Sequence, residues 1–328
     1  MVASPPPGIF VPVPTFFVSR SHLSYNSANP PIDLAAQCAH ALHLASNGIR
    51  GLVLLGSTGE AVHLTMMERD HVLKGVRKAL EGGGFKGYPL IAGTASQSIE
   101  EVLLQLRQAA DAGVQWGLCL APGYFASNVS QEGIKQWFRE IANKSPIPIM
   151  VYHYPGVSNN ITVSPATMAE LSQHPNIVGC KLSHGAVDDH ALVSLNPKIN
   201  HEQFRLFTGF GQHLLPVLSV GGAGAIDGLA GIFPKCVVRL YNLFEQGRNG
   251  DERVWNEMRA LQFAICGGEK LIAKWGTIGI KEATSRIVGI GDRDGGRLPL
   301  QGGIPGGDAE WEQWKTVMDD LVAIEKSL

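Results

Sequence analysis

The chain has 328 residues, of which 45% are hydrophobic and 17% are charged, and its formal net charge is −2. This composition is typical of a folded protein with a large core and argues against intrinsic disorder. The near-neutral charge contains no block of like charges, and no apolar stretch reaches the length of a bilayer-crossing helix, so neither nucleic acid nor a membrane is an expected partner.

The cysteines and the sequences at the two chain ends are used to predict the cellular compartment. The five cysteines are scattered without a Cys-x-x-Cys pair, which predicts reduced thiols in a reducing compartment. The segment MVASPPPGIF lacks the features of a secretory signal and the arginines of a mitochondrial transit segment. The last three residues do not match the peroxisomal signal. We therefore expect a cytoplasmic protein.

Short apolar runs alternate with amphipathic segments along most of the chain. Several helix starts are marked: Thr65 with Glu68 and Ser98 with Glu101 fit capping boxes, and Ser164 precedes a proline suited to a first helical turn. Asp33 precedes a helix whose apolar residues 34, 38, 41, 42 and 45 share one face. The apolar runs predict eight strands, at residues 8–14, 52–55, 90–92, 117–120, 147–152, 177–181, 205–208 and 224–226.

This alternation predicts an α/β fold with a parallel sheet covered by helices. Eight units within about 250 residues match a (β/α)8 TIM barrel. An open doubly wound sheet is the alternative, but it usually carries a glycine fingerprint after its first strand, where this chain has Thr15-Phe16-Phe17. The late GGAGAIDG stretch (221–228) is interpreted as a tight strand-to-helix connection.

The pattern changes after about residue 247, where only helical segments remain. Residues 251–266 and 308–326 are amphipathic, and a glycine-rich link covers 291–307. We therefore predict two parts, a barrel over residues 1–247 and a C-terminal helical extension over residues 248–328.

The most informative residue is Lys181, which ends the otherwise uncharged run NIVGCK. A lysine at the end of a buried strand either reaches water or lies in a pocket that lowers its pKa, because burial disfavours the charged form. A neutral lysine amine is a nucleophile that can form a Schiff base with a carbonyl compound. Both interpretations stay open from this run alone.

Other strand ends supply complementary groups, since catalytic residues of a barrel lie at the C-terminal ends of its strands. GSTGE (56–60) offers Ser57, Thr58 and loop N–H groups that suit a carboxylate, or it is an ordinary glycine turn. Tyr152 is a possible proton carrier or a core tyrosine, and Tyr124 lies in the loop after the fourth strand. A nucleophilic lysine, a hydroxyl relay and a carboxylate cradle together fit chemistry on a 2-oxo acid.

These motifs resemble the dihydrodipicolinate synthase / N-acetylneuraminate lyase family of Schiff-base aldolases. The resemblance runs from residue 8 to about 234 and rests on GSTGE, the Pro122 to Tyr124 loop, SQEG (130–133), Tyr152-x-x-Pro155 and Gly179-x-Lys181. The segment LSQHPNIVG (171–179) is most similar to the 4-hydroxy-2-oxoglutarate aldolase branch, and the Lys-Leu-Ser sequence at 181–183 resembles the fungal L-threo-3-deoxy-hexulosonate aldolases.

The resemblance implies roles for individual residues. Lys181 is expected to form the Schiff base without a cofactor or metal, Tyr152 to act as acid/base, and Ser57 to relay protons between Tyr152 and Tyr124. Tyr124 is expected to reach across a dimer interface of a homotetramer built as a dimer of dimers. The residues expected to bind substrate are Gly56, Thr58 and Gly59 of the loop, Ile226 through its carbonyl, and Ser183 and His184.

One departure from the family pattern bears on the reaction. Synthases of this family carry a carboxylate-binding arginine shortly after the tyrosine-proline motif, and Val157 occupies about that position here. Ser183 and His184 could instead bind hydroxyls of a longer, sugar-acid-like substrate, although His184 is equally explained as a loop histidine without a role. The sequence therefore predicts a carbon–carbon lyase that cleaves a 2-keto-3-deoxy sugar acid or a 4-hydroxy-2-oxo acid to pyruvate, or a glyoxylate-type product, plus an aldehyde.

Three alternatives stay open at this point. The first is a dihydrodipicolinate synthase that condenses pyruvate with aspartate semialdehyde. The second is a metal-dependent aldolase, which needs clustered ligands, although His40 and His43 share a helix face without a carboxylate and are better explained by a surface helix. The third is a barrel that binds a 2-oxo acid without turnover.

Overall fold

The computed structural model describes residues 3–247 and 251–328. Eight parallel strands pair in sequence order and close into a barrel, because β8 pairs with β1. The strands are β1 (Gly8–Pro12), β2 (Gly51–Leu54), β3 (Leu90–Thr94), β4 (Trp116–Leu120), β5 (Ile149–His153), β6 (Ile177–Leu182), β7 (Arg205–Thr208) and β8 (Gly224–Ile226). The predicted TIM barrel is confirmed, and each predicted strand overlaps an observed one with ends that agree within two residues.

The connecting helices cover the outside of this barrel. Their bounds are α1 (Leu34–Ser46), α2 (Met66–Gly82), α3 (Ile99–Asp111), α4 (Gln131–Lys144), α5 (Pro165–Leu171), α6 (Val187–Ser194), α7 (Leu214–Ser219) and α8 (Pro234–Gly247). Side-chain caps start α1 at Asp33, α2 at Thr65, α3 at Ser98 and α5 at Ser164, as predicted. The reciprocal capping box forms at Thr65 and Glu68, whereas at Ser98 the structure shows the bond from the Glu101 N–H to the serine.

The predicted buried face of α1 was wrong in part. Gln37, His40 and Leu44 are buried together with the predicted Ala41 and Ala45. His40 is fully buried rather than at the surface, because its Nε2 lies 2.8 Å from the Gly231 carbonyl oxygen. Burial lowers the pKa of His40 to about 4, so the ring is neutral at physiological pH.

The barrel interior is a cluster of its own, formed by inward side chains of the strands. It contains Phe10, Val53, Ile91, Trp116, Leu118, Leu120, Met150, Tyr152, Val178, Phe207 and Ile226. The outward side chains pack under the helices in two further clusters. All five cysteines are free thiols, as predicted.

The C-terminal extension consists of α9 (Glu252–Ala283), α10 (Gly307–Glu312) and α11 (Lys315–Ser327). Helix α9 runs well beyond the predicted end at residue 266 and is interrupted at Gly276, where φ is 53°. Residues of α9 and α11 belong to the same hydrophobic cluster as α8 and the β1 side of the barrel. The predicted boundary between residues 247 and 248 adjoins residues outside the described ranges, so the division into two parts stays a prediction.

Candidate active site

Lys181 and Tyr152 lie side by side on neighbouring strands. The pairing of β5 with β6 shifts register between Ile149 and Met150, and beyond that point Tyr152 pairs with Lys181. A register shift of this kind re-aims the side chains that follow it. Phe207 of β7 pairs with Lys181 from the other side. The irregularity in the ladder therefore places a lysine and a tyrosine next to each other at the C-terminal end of the barrel.

The Lys181 side chain is buried at the wall of the barrel mouth. Lys181 is only 4% exposed, and its Nζ lies 4.6 Å from the centre of the Tyr152 ring. Burial lowers the pKa of Lys181 to about 7, against the opposing pull of the Asp227 carboxylate. A substantial fraction of this amine is therefore unprotonated near neutral pH, whereas an ordinary lysine is almost fully charged.

Tyr152 has a hydroxyl partner at the same end of the barrel. Its phenol oxygen lies 3.0 Å from Ser57 Oγ, and a further hydrogen bond connects it with Ser183. Burial raises the pKa of Tyr152 to about 12, and these hydrogen bonds lower it in part. The phenol is thus neutral at rest and sits in a chain of hydroxyls that can pass protons.

The GSTGE loop is held from behind by the rest of the molecule. Thr277 Oγ1 of α9 donates to the Thr58 carbonyl at 2.6 Å, and Thr15 Oγ1 donates to the Gly59 carbonyl at 2.6 Å. Glu60 is buried and forms an ion pair with Lys281 of α9. These contacts fix the loop through its carbonyls and its glutamate. Among the described residues, the backbone N–H groups of Ser57 and Thr58 donate to no acceptor.

A cavity of about 440 Å³ connects these groups. It is bordered by Ser57, Thr58, Tyr152, Lys181 and Ser183, together with Tyr154, Val157, Phe210, Gln212, Glu269 and Thr277. A second cavity of about 350 Å³ shares Ser57 and Tyr152 with it and extends past Gly56 to Gln97, Tyr124 and Asn159. Among the described residues that line either cavity, Lys181 is the only cationic side chain.

Four predicted residues lie further from this centre. Tyr124 borders the second cavity but is 73% exposed and packs edge-on against Phe125. Ile226 is fully buried in the barrel interior. His184 does not border either cavity; its ring lies between those of His153 and His190, with interplanar angles of 50° and 46°. Gly59 packs closely on the Leu55 backbone, where a Cβ would lie 3.0 Å from the Leu55 nitrogen.

The sequence analysis missed residues that border or adjoin the cavity. Asp227 directly follows β8, so the rule that selects strand ends could have found it. Glu269 and Thr277 come from α9, more than forty residues further along the chain. No pattern in the sequence connects that helix with the barrel mouth, because its contribution depends on how the extension packs.

Comparison with known protein families adds independent information. The family model described as the dihydrodipicolinate synthetase family matches residues 24–302. The chain belongs to the dihydrodipicolinate synthetase family. A relative from Emericella nidulans, named "Probable 4-hydroxy-2-oxoglutarate aldolase, mitochondrial", is 34% identical over 88% of this chain and 87% of its own length. The L-threo-3-deoxy-hexylosonate aldolase of Hypocrea jecorina is 32% identical over 87% of this chain and 88% of its own length.

Solved structures of the dihydrodipicolinate synthetase family agree in fold. A Coccidioides immitis protein assigned to this family superposes with a TM-score of 0.83 at 29% identity, and the match covers both chains completely. A family protein from E. coli K12, crystallised with pyruvate, superposes with a TM-score of 0.81 at 23% identity over 96% of this chain and 98% of its own. At that identity the second likeness shows the fold alone.

Family membership together with the aldolase-named relatives indicates a carbon–carbon lyase, as predicted. The synthase alternative is less favoured, because the Emericella nidulans and Hypocrea jecorina relatives both carry aldolase names. Within residues 3–247 and 251–328, no three His, Cys, Asp or Glu side chains are grouped to hold a metal ion. In the same ranges, no helix combines the length and apolar character that crossing a membrane requires.

Proposed function

We propose that this dihydrodipicolinate synthetase family protein is a Schiff-base aldolase that cleaves a 2-keto-3-deoxy sugar acid or a 4-hydroxy-2-oxo acid to pyruvate and an aldehyde. The observation that carries the proposal is the buried Lys181 amine, 4.6 Å from the Tyr152 ring, whose pKa of about 7 leaves it available as a nucleophile. Lysine desolvation is a general route to a reactive amine.

The reaction begins when the neutral Lys181 amine attacks the C2 ketone of the substrate. A carbon–nitrogen bond forms, the neutral Tyr152 phenol gives its proton to the former carbonyl oxygen, and this oxygen leaves as water. The products are an iminium on Lys181 and a Tyr152 phenolate. The Thr58 hydroxyl and the N–H groups of Ser57 and Thr58 bind the substrate carboxylate, with Gly56 and Gly59 shaping the loop. The uncommitted N–H groups of this loop support that role.

Cleavage then requires removal of the C4 hydroxyl proton. The Tyr152 phenolate left by iminium formation accepts this proton, and Ser57 can pass it along the hydroxyl chain, for which the 3.0 Å contact between the two oxygens is suited. The C3–C4 bond breaks, its electron pair moves into the iminium to give an enamine, and the aldehyde leaves. Protonation of the enamine carbon and hydrolysis release pyruvate and regenerate Lys181.

The remaining site residues are proposed with smaller roles. Ser183 borders the cavity and could bind a substrate hydroxyl, and the Ile226 carbonyl could face the pyruvate unit. For His184 the position outside the cavity wall gives a substrate-binding role no support. Val157 stands on the cavity wall where a synthase would need an arginine, which supports cleavage over condensation with aspartate semialdehyde.

The exposed Tyr124 supports a further proposal on assembly. Tyr124 is a large aromatic residue at the rim of the second cavity, where it is available to a neighbouring copy of the chain. We propose a homotetramer in which Tyr124 completes the hydroxyl relay of that neighbouring copy. Sedimentation of the purified protein tests the assembly. A location in the cytoplasm also stays a proposal, since the Emericella nidulans relative is named mitochondrial, and cell fractionation tests it.

A substrate panel tests the proposed activity. Pyruvate release is measured from several 2-keto-3-deoxy acids and from 4-hydroxy-2-oxoglutarate, and consumption of aspartate semialdehyde with pyruvate is measured in parallel. We expect pyruvate from at least one acid, unchanged by EDTA, and no synthase product. Loss of activity with EDTA would support a metal-dependent mechanism, and a synthase product without cleavage would contradict the proposal.

A further inference from the structure

Part of the cavity wall offers hydrogen-bond acceptors that have no donor. Glu269 of α9 and Gln212, which lies in the loop between β7 and α7, both border the cavity that contains Lys181. Oε1 of each side chain is buried and accepts no hydrogen bond from a described residue. A buried polar group without a hydrogen-bond partner is destabilising. The wall is therefore suited to a ligand that brings donors.

Glu269 is one half of a buried carboxyl pair. Its carboxyl group hydrogen-bonds to Asp227, whose own oxygens accept from the Gly211 and Ala230 N–H groups, each at 3.0 Å. Burial and the Asp227 charge raise the pKa of Glu269 well above its ordinary value. Two carboxylates in contact cannot both ionise, so Glu269 keeps its proton and donates it to Asp227. The pair carries a single negative charge, anchored by backbone N–H groups.

Two glycines bring this pair close to the proposed nucleophile. A Cβ on Gly211 would lie 2.7 Å from Glu269 Oε1, and a Cβ on Gly209 would lie 1.9 Å from Ser183 Oγ and 3.1 Å from Lys181 Cε. No other residue type fits at these positions without displacement of the neighbouring groups. The 209–211 segment thus joins Lys181, Ser183 and the carboxyl pair into one continuous surface.

Few titratable groups face this surface. Tyr152 faces Lys181 from β5, Asp227 acts on it from the end of β8, and Glu269 faces Asp227 from α9 with Cys266 nearby on the same helix. Once Lys181 has formed an iminium with the substrate, no other cation of the described lining residues remains to bind a second anionic group. A second carboxylate would lie against Glu269 with the Asp227 charge directly behind it, and like charges placed near each other disfavour binding.

This inference rests on the proposed function. We infer that Glu269 and Gln212 determine which aldehyde the enzyme can release: they bind an uncharged, hydroxylated aldehyde portion and disfavour one that carries a second carboxylate. The preferred substrate class is then a 2-keto-3-deoxy aldonic acid rather than 4-hydroxy-2-oxoglutarate. The hydroxyl groups of such an acid supply the donors that the Gln212 and Glu269 oxygens lack.

The test compares kcat/KM for a 2-keto-3-deoxy-hexonate and for 4-hydroxy-2-oxoglutarate. We expect the wild type to favour the hexonate by about 100-fold or more, since a site that hydrogen-bonds substrate hydroxyls discriminates strongly. Glu269→Leu should lower kcat/KM for the hexonate by about 10- to 100-fold and should lower the ratio of the hexonate value to the dicarboxylate value by a similar factor. Glu269→Gln retains an acceptor oxygen and a donor to Asp227, so it should recover most of that loss.

Two further variants complete the design. Glu257→Leu changes a glutamate of the same helix that pairs with Arg239 outside the cavity, and it should leave both values unaltered. Gln212 lies on a different segment, and Gln212→Leu should lower the ratio of the hexonate kcat/KM to the dicarboxylate kcat/KM, as Glu269→Leu does. The inference can therefore still be tested if the Glu269 variant does not fold.

The outcomes separate this inference from the function on which it rests. A wild-type preference for 4-hydroxy-2-oxoglutarate, or an equal loss on both substrates in Glu269→Leu and Gln212→Leu, would overturn the inference. In that case pyruvate release and a reducible adduct on Lys181 would still support the aldolase. Absence of pyruvate from both acids, with no adduct, would contradict the proposed function and the inference together.

Discussion

Two lysines of this protein are almost equally buried but have different surroundings. Lys181 is 4% exposed and Lys281 is 6% exposed, and each lies against an aromatic ring, with Nζ 4.6 Å from the Tyr152 centroid and 4.5 Å from the Phe17 centroid. Lys281 forms an ion pair with the buried Glu60, whereas Lys181 forms none with a described carboxylate. The comparison teaches that burial alone does not define a nucleophilic lysine.

The two lysines differ in the charged groups that oppose the effect of burial on their pKa values. Burial lowers the pKa of both lysines, but at Lys281 the Glu60 carboxylate opposes that effect by charge and by a hydrogen bond. At Lys181 the opposing effect comes from Asp227, whose charge is already shared with the Glu269 proton. We therefore assign a covalent role to Lys181 and a structural role to Lys281, which ties α9 to the GSTGE loop.

The largest expected effect comes from Lys181→Ala. Removal of the amine should lower kcat for pyruvate release by about 10⁴-fold or more, because no other described residue that lines the two cavities carries an amine. The far-ultraviolet circular dichroism spectrum and the thermal midpoint should stay close to those of the parent. Turnover within tenfold of the parent would mean that the amine is not the nucleophile.

Tyr152→Phe should have the next largest effect. Loss of the phenol removes the proposed proton carrier and should reduce kcat by about 10²- to 10⁴-fold. Lys181 should still be trapped by pyruvate and borohydride in this variant, because the amine and the loop are retained. Unchanged kcat would show that another group moves the proton. Phe10, also in the barrel interior, offers a control through Phe10→Leu, which affects packing without a hydroxyl.

Lys281→Met tests the structural half of the comparison. The substitution removes the Lys281 partner of the buried Glu60 and leaves it only the contact with His63 Nδ1 at 3.1 Å, and breaking a buried pair in this way costs about 3–5 kcal/mol in the free energy of unfolding. Chemical denaturation measures that loss, and the double variant Lys281→Met with Glu60→Gln should recover part of it. Lys74→Met, in the exposed pair with Asp70, is the matched control, with an expected loss below about 1 kcal/mol. Equal losses in the two lysine variants would contradict this assignment.

A smaller, graded effect is expected from pH. Only the neutral amine attacks a ketone, and the pKa of Lys181 is about 7. The initial rate of adduct formation should therefore rise about tenfold per pH unit below that value and level off above it. Borohydride trapping at saturating pyruvate across this range gives the profile. A rate that keeps rising toward pH 10 would indicate an ordinary, charged lysine.

Much of the barrel could be predicted from the sequence because β-branched apolar runs and helix caps act locally. The end of α9 could not, since the glycines at 267, 268 and 276 suggest a helix end; instead, a Cβ at Gly268 would lie 2.6 Å from Leu321 Cδ1, so this glycine permits close helix packing. The buried side of α1 was misjudged because His40 and Gln37 satisfy backbone groups of other segments.

The candidate site likewise contains residues that could be predicted from the sequence and residues that could not. Tyr152 and Lys181 are the next-to-last residues of β5 and β6, and Ser57 lies shortly after β2, so their positions could be deduced from strand ends. The carboxyl pair of Asp227 and Glu269 joins a strand end to a distant helix, and only the packing of the extension brings the two together. Long-range pairs of this kind have no periodicity that a single sequence can reveal.

Reductive trapping with pyruvate is the most direct test of whether Lys181 forms a Schiff base. The protein is incubated with pyruvate, reduced with borohydride, digested and analysed by mass spectrometry. We predict one added pyruvate unit per chain, located on the peptide that contains Lys181 and absent from the Lys181→Ala variant. Pyruvate that binds without any reducible adduct, or an adduct on Lys281 in place of Lys181, would contradict the assignment of the two lysines.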